Sequence, residues 1–233
     1  MIKLPILEKY YYQETGCRNF VKQLLAPSIE INVDSVTIHK GYSIILSGED
    51  KYCLVREEKY APSEYDYILK VDKKATLENV SSGNIKLLKW IKHPLSLIYS
   101  TEEVIKSWDR KFNFIEENLE QNIKGLREPQ IAALYSILSH FKVSNNMGIV
   151  VMPTGTGKTE TMLSTLIANK CDKVLITVPS DALRNQIFNK FYSLGLLKKF
   201  GIVNDSALNP KVGILKEGFS TIEEFNEFSQ NCN

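Results

Sequence analysis

The stretch Met152-Pro153-Thr154-Gly155-Thr156-Gly157-Lys158-Thr159 constrains this chain more than any other. It lies between a short apolar run, Gly148 to Met152, and a segment of helical periodicity, Lys158 to Ala168. Two closely spaced glycines let main-chain N–H groups converge on an anion, and the start of the following helix adds its partial positive charge. The pattern is that of a phosphate-binding loop. Thr154, Gly155, Thr156 and Gly157 would wrap the phosphates, Lys158 would reach the β- and γ-phosphates as a point charge, and the Thr159 hydroxyl would ligate Mg²⁺. The strict motif has glycine where Met152 stands, so the expectation rests also on the flanking strand and helix.

With 43% hydrophobic and 24% charged residues, the 233-residue chain has the makeup of a globular protein and not of a disordered one. Its 29 Lys+Arg against 27 Asp+Glu leave a net charge of +2, so any contact with nucleic acid must come from a local surface. No apolar run approaches the roughly 18 residues of a membrane helix, and Glu8 and Lys9 interrupt the start before an apolar leader core forms. A cytoplasmic location is expected. Cys17, Cys53, Cys171 and Cys232 lack C-x-x-C spacing and His39, His93 and His140 are isolated, which argues against structural zinc and against disulfides.

Residues 1–99 read as a small α+β accessory domain. Phe20, Val21, Leu24 and Leu25 have helical spacing, whereas Val36 to Ile38, Tyr42 to Leu46 and Tyr52 to Arg56 alternate as strands of a meander. Tyr10, Tyr11 and Tyr12 are expected to pack on their own domain. Residues 100–233 form the second domain. Ser100 and Glu103 have capping-box spacing, and Trp108, Phe112, Ile115, Leu119 and Ile123 predict one long helix that Gly125 would end in the left-handed conformation. A helix opening at Pro129 follows, then the buried strand Gly148–Met152, the helix from Lys158, a second buried strand Val174–Val178 and a helix from Asp181. Strands joined by single helices imply a parallel sheet with right-handed crossovers. In the tail, Asn209-Pro210 predicts a turn and Ser220 or Thr221 a helix cap.

Pro153 to Thr159 resembles motif I of superfamily 2 helicases and translocases, particularly the DEAD/DEAH-box group that includes motor subunits of restriction systems. Gly125-Leu126-Arg127-Glu128-Pro129-Gln130 is similar to that group's upstream adenine-recognition motif, although Glu128 stands where many relatives have an apolar or aromatic residue. Val174 to Gln186 is similar to motif Ia. The resemblance implies an α/β fold, here part of a RecA-like P-loop NTPase domain with a parallel sheet. It further implies adenine on Gln130 with Arg127 nearby, ATP and Mg²⁺ as cofactors, catalytic roles for Lys158 and Thr159, and a nucleic-acid backbone, DNA rather than RNA, touching Pro179, Ser180 and Arg184. A defence system is the setting that family analogy suggests.

The family's Asp-Glu-x-His or Asp-Glu-x-Asp motif does not follow Gln186. Without an acid to hold Mg²⁺ and a group to orient water, phosphoryl transfer stalls. The expectation is therefore the N-terminal portion of a longer motor, binding ATP and hydrolysing little alone. A second reading is a non-catalytic nucleotide-binding scaffold whose residues 1–99 dock a partner protein.

Overall fold

The alternating residues of 35–55 form strands of an antiparallel meander, as their period requires. The computed structural model describes residues 1–13 and 19–233; Cys17 lies outside the described residues. In chain order the strands are β1 (Ile2–Lys3), β2 (Leu7–Gln13), β3 (Phe20–Ala26), β4 (Glu30–Ile31), β5 (Ser35–Ile38), β6 (Tyr42–Ser47), β7 (Asp50–Val55), β8 (Tyr67–Val71), β9 (Leu87–Lys92) and β10 (Val212–Ile214). The helices are α1 (Leu77–Ser81), α2 (Thr101–Ser107), α3 (Glu128–Val143), α4 (Lys158–Ala168), α5 (Asp181–Ser193), α6 (Leu196–Lys199) and α7 (Ile222–Gln230).

Two compact units result, one of residues 1–9 and 24–98, the other of residues 10–23 and 99–233. In the first, five strands run β5-β6-β7-β8-β9, antiparallel except for the parallel pair β7–β8. Period-2 alternation divides its apolar side chains between two faces. Ile45, Leu54, Leu69 and Val71 pack with Ile2, Leu4, Val80 and Ile85, while Cys53, Val55 and Ile68 form a smaller cluster. β1 and β4 pair antiparallel, and the Trp90 indole donates to the Pro5 carbonyl at 2.9 Å.

The core of the second unit joins Val104, Trp108, Leu126, Leu134, Leu163, Ile167, Phe191, Leu197 and Val203. Its sheet is β10-β3-β2. Residues 20–25 are thus strand and not helix, contrary to their spacing. Val212, Gly213 and Ile214 pair with Lys22, Val21 and Phe20, a partner some two hundred residues downstream that local periodicity does not register. Buried Asn19 supports this arrangement, accepting from the N–H groups of Lys216 and Glu217 and donating to the Glu217 carbonyl. Gln23, also buried, accepts from Tyr11 Oη and donates to the Asn209 carbonyl.

Two further expectations are corrected. The long helix predicted from Ser100 to Gly125 ends at Ser107, although its capping box forms as read. Arg110 turns the chain at φ 53°, Phe112 bridges to Val203, and a turn with Asn122 at φ 54° brings Glu116 against Leu126. Gly125 is needed there for close backbone approach, since a Cβ would fall 2.5 Å from the Ile115 carbonyl oxygen. The segments 148–152 and 174–178 are likewise not strands, and no parallel sheet forms from them. Ile149, Val151 and Leu175 are more than four-fifths exposed. A short parallel strand holds only with hydrogen-bonded neighbours, and among the described residues none lies beside either segment. Helix α4 instead buries Leu163, Leu166 and Ile167 in a helical core.

Lys211, 3% exposed, carries a testable charge. Its ammonium stands 3.8 Å from the centre of the Tyr11 ring. Burial pushes its pKa down to about 8, with Glu103 partly opposing the shift. The unfolded chain then holds more protons than the folded one between that value and the ordinary lysine range near 10.4. The Lys211 contribution to stability should therefore rise with pH across this window, with a slope of at most about 1.4 kcal/mol per pH unit, while the thiols of Cys53 and Cys232, pushed up by burial, pull the other way. Lys211→Met removes this contribution, so in urea melts between about pH 7 and 9.5, below the range where tyrosines ionise, the parent should gain stability relative to the variant as pH rises. Parallel curves for the two proteins would show that Lys211 makes no such contribution.

Candidate functional site

Pro153 to Thr156 form a tight turn whose third residue, Gly155, sits at φ 83°, a conformation glycine adopts without steric cost. The Thr156 N–H donates across it to the Pro153 carbonyl at 3.4 Å, joined by the Thr156 hydroxyl at 2.7 Å and the Lys158 ammonium at 2.9 Å. Gly157 caps helix α4 with φ 86° and ψ 40° and supplies no side-chain cap. The first-turn N–H groups of α4 are thus left to partners other than a capping side chain, as an anion-binding helix start requires. Buried Met152 anchors the entry to the turn, while Thr154, Gly155 and Lys158 are exposed.

Helix α3 brings two more residues to the loop. Pro129 lies in its first turn, where the missing N–H costs nothing, and fixes the entry of the helix. Arg127 donates from Nη1 to the Gly155 carbonyl at 3.0 Å. Gln130 is 4% exposed and not solvent-facing; its Oε1 accepts from the Arg127 N–H at 2.8 Å and its Nε2 donates to the Gly157 carbonyl at 3.2 Å. One amide proton and one lone pair of the Gln130 side chain remain beyond these two bonds. The structure therefore gathers Arg127, Gln130, Thr154, Gly155, Thr156, Gly157, Lys158 and Thr159 at one end of two packed helices.

The residues after the second apolar run stand apart from this cluster. Ser180 is the N-cap of α5, its Oγ accepting from the Leu183 N–H at 3.3 Å. Arg184 is paired with Asp181 at 2.8 Å, and Pro179 is exposed. No hydrogen bond among the described residues joins these three to the loop. The connection between α4 and α5 runs instead through Glu160 and Lys190, 2.6 Å apart on a carboxylate only 12% exposed. Sequence reasoning missed this pair: thirty positions separate two charges whose spacing carries no signal.

Chemically, the loop offers a helix start without a side-chain cap, two cations in Lys158 and Arg127, and a hydroxyl at Thr159, groups that suit a polyphosphate with its metal ion. The loop, though not a parallel sheet beside it, has the glycine turn and helix start of a P-loop. Residues 123–230 match the family model of the type III restriction enzyme, res subunit, a family of helicase-like, ATP-dependent and generally Mg-using enzymes of nucleic acid. The match covers α3 to α7 and leaves the first compact unit outside. No curated protein and no solved structure matches the chain. No described helix is long and apolar enough to cross a membrane.

Proposed function

We propose that this chain binds MgATP through residues 153–159 and serves an ATP-dependent helicase or translocase acting on nucleic acid, DNA in preference to RNA. The observation that carries the reading is the pair of left-handed glycines, 155 and 157, opening helix α4 against Arg127 and Gln130. Lys158 would leave the Pro153 carbonyl for the outer phosphates, a change from a neutral acceptor to an anionic one that strengthens the bond. Thr159 would hold Mg²⁺, whose chemistry when bound is to neutralise charge on the phosphate oxygens. The spare donor and acceptor of Gln130 match the two-edged demand of adenine. Pro179, Ser180 and Arg184 would meet a strand backbone at the start of α5, where the Ser180 hydroxyl and the helix terminus suit a phosphate. Turnover would need acidic groups that the sequence after Gln186 does not carry as an Asp-Glu-x-His or Asp-Glu-x-Asp run.

Isothermal titration with MgATP tests the reading. Lys158→Ala should weaken binding about a hundredfold, the loss of a charge-assisted contact of about 2–3 kcal/mol. Equal affinity in the two proteins would remove the loop from the argument. A scaffold in place of a motor would show nucleotide-dependent partner capture with no strand-stimulated hydrolysis.

A further inference from the structure

Helix α4 carries an acid beside the place where its start would meet phosphates. Glu160 lies in the first turn, two positions after Lys158, and its side chain is only 12% exposed. A Cβ built on Gly157 would fall 3.5 Å from Glu160 Oε2, so the carboxylate stands against the residue that caps the helix. An acid in a first turn is ordinarily favourable, because it meets the positive end of the helix dipole. Here the same helix start must also receive phosphates, and a bare carboxylate would oppose them. The first turn is about 5 Å long, inside the distance of about 8 Å over which charges interact at physiological salt. Glu128, the acid in the first turn of α3, is exposed, so water and ions screen it. Enclosure denies Glu160 most of that screening.

Glu160 Oε1 accepts from the Lys190 ammonium at 2.6 Å. Lys190 comes from the last turn of α5 and is the one cation within ion-pair distance of Glu160 among the described residues. An ion pair in open water contributes little, whereas removing one member of an enclosed pair leaves the other charge uncompensated. The charge left behind would be negative, and it would lie at the loop. Neither Lys158 nor Arg127 cancels it, since those two donate to the carbonyls of Pro153 and Gly155.

We infer that Lys190 is a positioning residue for nucleotide: it holds and neutralises the Glu160 carboxylate so that the start of α4 accepts a polyphosphate. Its effect grows with the charge of the ligand, which that of a purely structural ion pair would not do. This role rests on the reading of residues 153–159 as the nucleotide loop.

Calorimetric titration of the full chain with MgATP and with MgADP, which carries one negative charge fewer, tests it. Lys190→Met should weaken MgATP about tenfold and MgADP about threefold, because repulsion scales with ligand charge. Raising NaCl from about 0.05 to about 0.5 M should shrink both losses. Lys190→Arg should keep most of the parent affinity, and Lys190→Met combined with Glu160→Gln should recover it to within about twofold. Matched circular dichroism spectra show which variants fold. Should Lys190→Met not fold, Glu160→Gln alone decides: it leaves the lysine unpaired and should tighten MgATP more than MgADP, and parent affinity for both would overturn the proposal. Full MgATP affinity in Lys190→Met, equal losses for the two nucleotides, or a loss that the double variant retains overturns it as well and leaves the loop reading standing. A parent chain that takes up no MgATP sinks both.

Discussion

Gly157→Ala should destabilise the second unit by about 2–4 kcal/mol and abolish nucleotide binding at the loop with it. Two independent effects add. At φ 86° an alanine enters the left-handed region, where a Cβ costs about 1–2 kcal/mol. That Cβ would also lie 2.1 Å from Gln130 Nε2 and 3.0 Å from its Cδ. A glutamine end usually swings aside easily, but this one is 96% enclosed and tied at both atoms, to the Arg127 N–H and the Gly157 carbonyl. Moving it breaks both bonds in a site that water does not reach freely, at about 1 kcal/mol each. Gly155→Ala is the control. Its φ is 83°, yet nothing lies within 4 Å of the added carbon, so only the backbone cost of about 1–2 kcal/mol applies. Urea melts of both variants, repeated in a Gln130→Ala background, separate the contributions. If Gly157→Ala costs as much without the glutamine as with it, the clash has no part in the effect.

The same site shows how far the sequence reaches. The turn at Gly155, the helix start at Lys158, Pro129 in the first turn of α3, the capping box of Ser100 and the helix cap expected at Ser220 or Thr221, which falls on Thr221, are governed by neighbours within four residues. That Arg127 would donate to Gly155, or Gln130 to Gly157, depends on two helices meeting across 27 or 28 positions. The sequence carries their spacing but not their contact. Errors arise where one pattern admits two solutions. Phe20, Val21, Leu24 and Leu25 suit a helix face, yet pairing with β10 satisfies the backbone as well and buries Val21 completely. Phe112, Ile115 and Ile123 recur at helical intervals, yet they belong to a bridged turn closed by Gly125. For Gly148 to Met152 and Val174 to Val178 the apolar composition predicts buried strands and neither forms, because a strand is a property of a pair and among the described residues no neighbour makes one.

Trp108→Ala should be the most damaging single change in the second unit, at about 4–5 kcal/mol, through a mechanism unrelated to the loop. The ring is 1% exposed and packs with Val104, Leu126 and their neighbours, so truncation leaves a cavity that a core of interlocked helices closes only in part. Its indole N–H donates to the Leu208 carbonyl at 2.9 Å, one hundred positions away, and truncation strands that carbonyl. Helix α2 is only 7 residues long, too short to persist on its own propensity, and Trp108 closes its end. Losing the ring therefore loosens the helix as well as the core. Trp108→Phe keeps most of the volume and loses the donor, so a cost of about 1–2 kcal/mol is expected, with the difference between the two variants measuring the packing. Trp90 is the chain's other tryptophan and lies in the first unit, so in Trp108→Ala its fluorescence follows that unit alone. Helices α2 to α7 lie in the second, which dominates the far-ultraviolet circular dichroism. The dichroism midpoint should fall well below that of the parent while the Trp90 transition stays close to its original denaturant concentration. If both transitions shift together, the two units unfold as one and Trp108 supports more than its own core; if neither shifts, the buried ring contributes far less than its enclosure requires.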